Sequence, residues 1–117
     1  PSREMIKGSI SLLVKDGAID VSSLKTFIPE DIVDKFFPSD RLAAGQSFKF
    51  TIGDTKVQMK WHSPDLLIRQ QFPKSNSGRA WTAQIRVGKH WLLSNGKWSA
   101  RKGVQKSSRA HIPIINR

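Results

Sequence analysis

Between residues 47 and 87, apolar and polar residues alternate with a period of two, and this pattern restricts the fold more than any other feature. The apolar positions are Phe48, Phe50, Ile52, Val57, Met59, Trp61, Trp81, Ala83, Ile85 and Val87. Because successive side chains of a strand point to opposite sides of a sheet, the pattern predicts strands with one apolar and one polar face. Gly53-Asp54-Thr55 separates the first two runs and predicts the turn of a hairpin. The apolar face should form the core.

The rest of the second half predicts shorter elements. Pro64 to Gly78 is rich in turn-forming residues and is predicted to be a long loop. His90 to Leu93 predicts a strand, which the turn Ser94-Asn95-Gly96-Lys97 ends. A basic, Ser-rich loop follows, and Ala110 to Ile115 predicts the last strand.

A three-to-four spacing of apolar residues precedes the sheet. Its members are Leu24, Phe27, Ile28, Ile32, Val33, Phe36 and Phe37. The spacing predicts a helix capped by Ser22 or Ser23, which Pro29 can divide in two and Pro38 ends. Met5 to Val14 lies before a turn at Lys15-Asp16-Gly17 and is predicted to be an edge strand or a linker.

Together these elements predict an α+β fold, with N-terminal helices packed on one face of a twisted antiparallel sheet and the other face open. With 117 residues the chain is long enough for one domain and too short for two. We expect residues 1–21 to be a lead segment and residues 22–117 to be the single functional domain. The chain starts with Pro1 and not with Met, so we expect it to be part of a longer protein.

The net charge of +11 lies entirely in the second half of the chain. Residues 1–58 carry eight Lys and Arg against eight Asp and Glu, whereas residues 59–117 carry twelve against the single acid Asp65. Such asymmetry predicts a polyanionic partner, of which nucleic acid is the commonest. A membrane surface is the alternative, but no run of about 18 apolar residues is present and we expect no membrane partner.

The alternation assigns a set of polar residues to the open face of the sheet. They are Lys49, Thr51, Gln58, Lys60, His62, Thr82, Gln84 and Arg86. Arg109 and His111 join this face if the last strand pairs in the simplest register. The open face should therefore be basic and carry two histidines.

Two histidines on a basic face suit the cleavage of RNA without a metal ion. That reaction needs a base for the ribose 2′-OH proton, an acid for the leaving 5′-oxygen, and cations for the phosphate. The sequence has no Tyr or Cys, so His62 and His111 are the predicted acid and base. The alternative is that both are ordinary surface histidines beside prolines. His90, in an apolar run, is predicted to pack.

Other cations could hold the RNA. Lys60 and Arg86 are predicted to bind the scissile phosphate, unless they are merely charges on a solvated face. Residues Lys97, Arg101, Lys102, Lys106 and Arg109 resemble a loop that follows a nucleic-acid backbone. Trp91 and Trp98 could stack on bases, although Trp in a small domain more often packs in the core.

Metal chemistry has little support in the sequence. Without cysteine there are no thiolate ligands or disulfides, and the three histidines lack the spacing of zinc motifs. Pro64-Asp65 and Gln84-Ile85-Arg86 match only part of the PD-(D/E)xK nuclease pattern, because its second acid and its Lys are missing. We expect no metal and no cofactor, and a metal-dependent DNase is the weakest alternative.

Several short motifs support a resemblance to a known family. They are Phe48 to Thr55, Lys60-Trp61-His62-Ser63-Pro64-Asp65, Ser75-Asn76-Ser77-Gly78, Trp81-Thr82-Ala83-Gln84-Ile85 and His111-Ile112-Pro113-Ile114. Over roughly residues 36–115 the chain resembles the C-terminal toxin domains of bacterial polymorphic toxins, in particular polymorphic toxin type 30, which contact-dependent growth inhibition effectors carry.

The resemblance implies a metal-independent ribonuclease of the barnase, EndoU, colicin and RelE-like group. It puts His62 and His111 on the motif histidines and Thr82 and Gln84 on polar positions of a strand. The chain departs from the family at Ala110, where a hydroxyl residue is expected, so a hydroxyl role would pass to Ser107 or Ser108.

From the resemblance we also expect an effector that is secreted or held on the cell surface, and whose toxin acts in the target-cell cytoplasm. An acidic immunity protein should cover the basic face, so that the domain is a monomer or a heterodimer with its inhibitor. The substrate would be cellular RNA, either tRNA or rRNA, with His62, His111, Arg86, Lys60 and Thr82 catalytic. Lys49 and Gln84 would bind RNA together with the basic loop.

A different class of function fits the same residues. A non-enzymatic nucleic-acid-binding module would use the basic face without chemistry. Substitution of the histidines would separate the two, because a binding module would tolerate it and an enzyme would lose turnover.

Overall fold

An eight-stranded mixed sheet organises the chain in this computed structural model, which describes all residues from 1 to 117. The strands are β1 (Val14–Lys15), β2 (Ala18–Asp20), β3 (Gly45–Ile52), β4 (Thr55–His62), β5 (Thr82–Val87), β6 (His90–Leu92), β7 (Trp98–Ser99) and β8 (Ile112–Ile115). The helices are α1 (Arg3–Ser11), α2 (Val21–Lys25), α3 (Leu66–Gln71) and α4 (Asn76–Arg79). Two 3₁₀ turns, Val104–Lys106 and Ser108–Ala110, precede β8.

The strand order is β1-β2-β8-β5-β4-β3, and β6 and β7 extend from β5. The fold class is α+β, as predicted. The predicted antiparallel sheet is wrong in one detail, because β2 and β8 run parallel, with Ile19 opposite Ile114. A parallel pair joins strands from the two ends of the chain, and no local sequence pattern reveals it. None of the helices is long and apolar enough to cross a membrane.

The predicted hairpin and third strand are present in the predicted phase. Phe48 lies opposite Met59, and Met59 lies opposite Ile85. The apolar face of β3, β4 and β5 forms the main core, together with side chains from α1, β2, α2, β6 and β8. Gly53 adopts a φ of +61° in the two-residue turn between β3 and β4, a conformation that glycine favours.

The N-terminal prediction of an edge strand or linker over residues 5–14 is wrong. Residues 3–11 form α1, which Ser2 caps by accepting a hydrogen bond from the Met5 amide. Ile6 and Ile10, one helical turn apart, are buried in the main core. Residues 1–21, predicted as a lead segment, thus contribute side chains to the same core as residues 22–117.

The predicted helix over residues 24–37 is only partly present. The observed helix, α2, ends at Lys25. The backbone from residue 26 to residue 44 is irregular. Lys35 donates its amide to the Ser47 carbonyl, and Ser47 donates its amide to the Asp34 carboxylate. Residues 34–36 thus cover the free edge of β3, whose unpaired backbone groups compete with helix formation. Phe27, Ile28 and Ile32 still pack on the core.

The predicted loop from Pro64 to Gly78 contains the short helices α3 and α4. The Asp65 carboxylate caps α3 by accepting hydrogen bonds from the Leu67 and Ile68 amides. Helix α3 buries none of its residues, so no amphipathic stripe marked it in the sequence. The last strand begins at Ile112 and not at Ala110, because residues 108–110 form a 3₁₀ turn.

Candidate active site

The register of the central strands gathers polar side chains at one end of the open face. His62 lies opposite Thr82, and Lys60 lies opposite Gln84. On the other side of β5, Thr82 lies opposite Pro113, so the register places His111, two residues before it, on the same face. Strands β4, β5 and β8 therefore meet where the two histidines are found.

His62 and His111 face each other in a cleft of about 390 Å³. Their ring centroids are 6.5 Å apart and the ring planes are inclined at 66°. Lys60, Gln84 and Arg41 also line this active-site cleft. The volume lies within the range of small-molecule and cofactor pockets. One phosphodiester group in the cleft can lie within hydrogen-bond reach of both rings.

Both imidazoles are oriented by backbone carbonyl groups. His62 Nδ1 lies 2.7 Å from the Ser63 carbonyl oxygen, and His111 Nδ1 lies 2.8 Å from the Ser107 carbonyl oxygen. Since a carbonyl oxygen only accepts, Nδ1 must carry the proton on each ring. Nε2 of each neutral ring is then unprotonated and can take a proton, and Nε2 of each charged ring can give one.

Burial lowers the pKa of both histidines below the usual value of 6.5. The carbonyl contacts and the charge of Asp65 act in the opposite direction, since they favour the protonated rings. The charge of Lys60 adds to the lowering at both rings. Protonation of either ring therefore depends first on burial, then on the carbonyl contact at Nδ1, and then on the charges around the cleft.

The segment that carries His111 is held by a residue the sequence analysis did not single out as functional. The Asn76 side-chain amide donates to the backbone carbonyls of Ser108 and His111, both at 3.1 Å. The Asn76 backbone amide donates to Ser108 Oγ at 3.0 Å. Helix α4 thus fixes the turn before β8, and the Ser-Asn-Ser-Gly motif was the only signal of it in the sequence. Ser107 Oγ donates to the Val104 carbonyl, so both serine hydroxyls are hydrogen-bonded.

Lys60 is a half-buried cation without an acidic partner. The structure contains two ion pairs, Lys7–Glu4 and Arg41–Asp65, and neither includes Lys60. Burial, followed by the charge of Lys49, lowers the pKa of Lys60 from its usual 10.5. A desolvated cation that lacks an anion in the free protein is suited to bind one from outside.

Arg41 is a second cation at the cleft, and the sequence analysis missed it. Its Nε donates to both oxygens of the buried Asp65 carboxylate, at 2.7 and 2.9 Å. All side-chain hydrogen bonds that Arg41 makes within the protein come from Nε, so its two Nη groups are available to a ligand. Asp65 is the single acid of residues 59–117, but the sequence does not show which cation it pairs with.

Thr82 and Gln84 lie in the predicted strand beside these groups. Gln84 lines the cleft and donates its amide to the Gln105 carbonyl at 2.7 Å, which anchors the basic loop. Thr82 is 1 % exposed, does not line the cleft, and its Oγ1 has no hydrogen-bond partner. A buried hydroxyl without a partner is unusual in folded proteins, and this one lies opposite His62.

Arg86, predicted to hold the scissile phosphate, does not join the histidines. It lies four residues beyond Thr82 on β5, about 13 Å along the strand. Its guanidinium lies over Trp91, with Nε donating to the Gly88 carbonyl. It lines a second cleft together with Lys49 and Lys56. Lys49 and Arg86 therefore form a separate basic area on the same face.

The basic loop reaches the site at one point. Lys106 lines a neighbouring cleft that includes His111, whereas Lys97, Arg101, Lys102 and Arg109 are exposed outside both clefts. Arg109 lies in the 3₁₀ turn and not on a strand, so the predicted register does not include it.

Trp91, Trp98 and His90 lie away from the two histidines of the cleft. Trp91 packs on the small cluster of Leu93, Val104 and Ala110, and Trp98 packs on the main core. His90 starts β6, is half-buried, and lines none of the three clefts described here. No group of three or more His, Cys, Asp or Glu side chains is arranged to hold a metal ion.

No protein-family model, curated protein or solved structure matches this chain.

Proposed function

We propose that this domain is an endoribonuclease that needs no metal ion and uses His62 and His111 as its acid and base. The observation that carries the proposal is the histidine pair itself. The two rings lie 6.5 Å apart, each with Nδ1 on a backbone carbonyl and Nε2 free to exchange a proton. Two such groups on either side of one phosphodiester are what cleavage by the ribose 2′-OH requires.

The proposed reaction has two proton transfers. One neutral imidazole takes the proton of the 2′-OH, and the oxygen attacks phosphorus to form a 2′,3′-cyclic phosphate. The P–O5′ bond breaks, and the other, protonated imidazole gives its proton to the leaving 5′-oxygen. A pKa below 6.5 suits the base, and the carbonyl at Nδ1 supports the charge on the acid.

Lys60 and Arg41 supply the positive charge for this step. Lys60 has no acid to neutralise it, and the Nη groups of Arg41 are unbonded within the protein. Both line the cleft with the histidines. They would stabilise the negative charge that grows on the phosphate oxygens as the bond to the 2′-oxygen forms. Arg41 takes the role that the sequence analysis gave to Arg86.

The proposal extends to the biological setting implied by the sequence motifs. The open, basic face of the sheet is compatible with a barnase-like active site and with a toxin domain delivered by a bacterial effector. An acidic immunity protein that covers this face would complete the system. The support lies in the location of the Trp-His-Ser-Pro-Asp and His-Ile-Pro motifs, which meet at one cleft.

The direct test is incubation of the domain with total cellular RNA in EDTA, followed by analysis of the cut ends. We expect cleavage without metal and products that end in a 2′,3′-cyclic phosphate. His62→Ala and His111→Ala should each lower the rate by about 10²-fold or more, with RNA affinity within a few-fold of the wild type. His90→Ala is the matched control and should retain the rate.

Two results would contradict the proposal. Cleavage that requires Mg²⁺ and leaves a 5′-phosphate would point to a metal-dependent nuclease. Tight RNA binding with no cleavage by the wild type would instead favour the non-enzymatic binding module.

A further inference from the structure

Two aromatic side chains of this domain are exposed to solvent. The chain has six Phe and four Trp and no Tyr. Phe37 is 88 % exposed and Phe72 is 61 % exposed, whereas the other aromatic residues are buried or half-buried. An exposed phenyl ring gains nothing from the core and leaves a large apolar surface in water. Exposure alone assigns the rings no role, because other large apolar residues are exposed as well, so their position in the molecule decides what they can do.

Both rings lie at the site described above. Phe37 lines the active-site cleft with His62 and His111. Phe72 lines the neighbouring cleft, whose wall includes Ser75, Lys106 and His111. The two clefts share Arg41, Asp65 and His111. A ligand that crosses the shared wall would meet one phenyl ring in each cleft.

Local structure holds the backbone beside each ring. After Phe37 the chain forms a turn in which Ser39 and Leu42 exchange hydrogen bonds, and the Arg41 carbonyl accepts the Leu66 amide at the start of α3. Phe72 caps the other end of α3, where its backbone amide donates a hydrogen bond to the Ile68 carbonyl. Helix α3 thus connects the supports of both rings. Because the backbone is fixed in this way, only the side-chain torsions of the two rings remain to be ordered when a ligand binds.

The charge around the rings selects the class of ligand. Lys60, Arg41 and Lys106 line the two clefts, and the only carboxylate there, Asp65, is paired with Arg41. Cations beside exposed aromatic rings are typical of sites for single-stranded nucleic acid, where bases stack on the rings and the cations follow the phosphates. In a duplex the bases are already stacked and paired, so they are not available to such rings.

We propose that the two clefts bind single-stranded RNA and that Phe37 and Phe72 stack on unpaired bases of nucleotides that flank the cleaved phosphate. This proposal rests on the proposed ribonuclease function, because it assumes that the scissile phosphate lies between the histidines. It specifies the substrate as a loop, an overhang or an unpaired strand.

Binding is tested with a probe that cannot be cut. The probe is an oligoribonucleotide with a 2′-deoxy nucleotide at the scissile position and 2-aminopurine at a flanking base. Wild-type protein should change the 2-aminopurine fluorescence on binding. Phe37→Leu and Phe72→Leu keep apolar surface but remove the π-face, and should weaken binding by about 5-fold to 100-fold, as expected for the loss of one stacked base. Phe37→Trp, which keeps a π-face at this position, should bind the probe and change its fluorescence as the wild type does. Leu12→Ala, at an exposed apolar residue outside both clefts, should bind as the wild type does.

Cleavage is tested with the same sequence as a single strand and as a duplex with its complement. The single strand should be cut at least tenfold faster. Equal cleavage of strand and duplex would overturn the proposal while leaving the ribonuclease function intact. Unchanged affinity and fluorescence in both Leu variants would also overturn it and would indicate that the rings serve a protein partner. If the wild type cuts no RNA, the probe is the 2-aminopurine oligoribonucleotide without the 2′-deoxy substitution; stacking on this probe that the Leu variants lose would support the stacking sites and reject the enzymatic function.

Discussion

The side-chain amide of Asn76 donates a hydrogen bond to the backbone carbonyl oxygen of His111 over 3.1 Å. This bond joins α4 to the residue that carries one of the two imidazoles of the site, and Asn76 itself lines neither cleft. Asn76→Ala should therefore lower kcat by about tenfold with little change in KM, because it loosens the position of one proton-transfer group.

Asn95→Ala is the matched control for this variant. Asn95 accepts the Lys97 amide in the turn between β6 and β7, so its loss also removes a bond to the backbone. In urea unfolding Asn95→Ala should lose about 1 kcal/mol of stability, for one hydrogen bond, and Asn76→Ala about 2 kcal/mol, for two. Equal activity of the two would show that Asn76 acts only on stability.

The pH dependence of cleavage should report both histidines. Burial holds their pKa values below 6.5, and the reaction needs one ring neutral and the other protonated. The rate should therefore rise as pH falls from 7.5, pass through a maximum below pH 6.5, and fall when both rings are protonated. The measurement is kcat/KM against pH on an oligoribonucleotide, which reports the free enzyme. A maximum above pH 7 would contradict the assignment.

Substitution of Asp65 should move that profile in a known direction. Its charge raises the pKa of both rings, so Asp65→Asn should shift the maximum to lower pH. NMR titration of the imidazole signals can follow each ring separately. An unchanged pair of pKa values would show that the carboxylate, neutralised by Arg41, has no influence on the histidines.

Arg41 should support catalysis through the geometry of its guanidinium group and not through its charge alone. Nε binds both oxygens of Asp65, and the Nη groups are free to bind phosphate. A lysine at this position keeps the charge and loses this geometry. Arg41→Lys should therefore lower kcat/KM by about tenfold, and Arg41→Ala should lower it further. Arg3→Lys, at an exposed residue of α1 outside both clefts, provides the control and should keep full activity.

The half-buried charge of Lys60 should lower the stability of the folded protein, and the same charge should strengthen RNA binding. Its pKa is lowered by burial and by Lys49, and no acid compensates the charge. Lys60→Met removes a desolvated cation and keeps the apolar stem, so the melting temperature should stay level or rise. RNA affinity should fall by about tenfold, as one charged contact to phosphate is lost. The exposed Lys89→Met is the control; a large drop in melting temperature for Lys60→Met alone would contradict this explanation.

The parts of the fold that the sequence predicted are those with local signals. The alternation from Phe48 to Val87 is local and sets which side chains are buried, so the hairpin, β5 and the core face were all predictable. Helix α1 was missed because its buried stripe consists of Ile6 and Ile10 alone. The false extension of α2 arose because Phe27, Ile28 and Ile32 do pack on the core, but from irregular backbone that follows the edge of β3.

The sequence indicated that the two histidines lie on one face, but not which cations lie beside them. His62 and His111 were chosen by residue type and by face, and the register brings them together. Arg86 shares the face but lies too far along β5, and only the register of the neighbouring strands shows this distance. Arg41 comes from a segment whose contact with Asp65 is long-range, and no spacing in the sequence encodes such a pair.

A partner that neutralises this domain should be acidic and should cover the active-site cleft. Burial of Lys60 and Arg41 at an interface without matching anions would cost several kcal/mol. Complementary charge would also speed the encounter, so raising salt from about 0.05 to 0.5 M should slow association by tenfold or more in stopped-flow measurements. Lys106→Glu, at the cleft that includes His111, should slow association more than Lys25→Glu on α2. A salt-independent association rate, or hydrogen-exchange protection confined to α1 and α2, would mean that the inhibitor acts elsewhere than on the cleft.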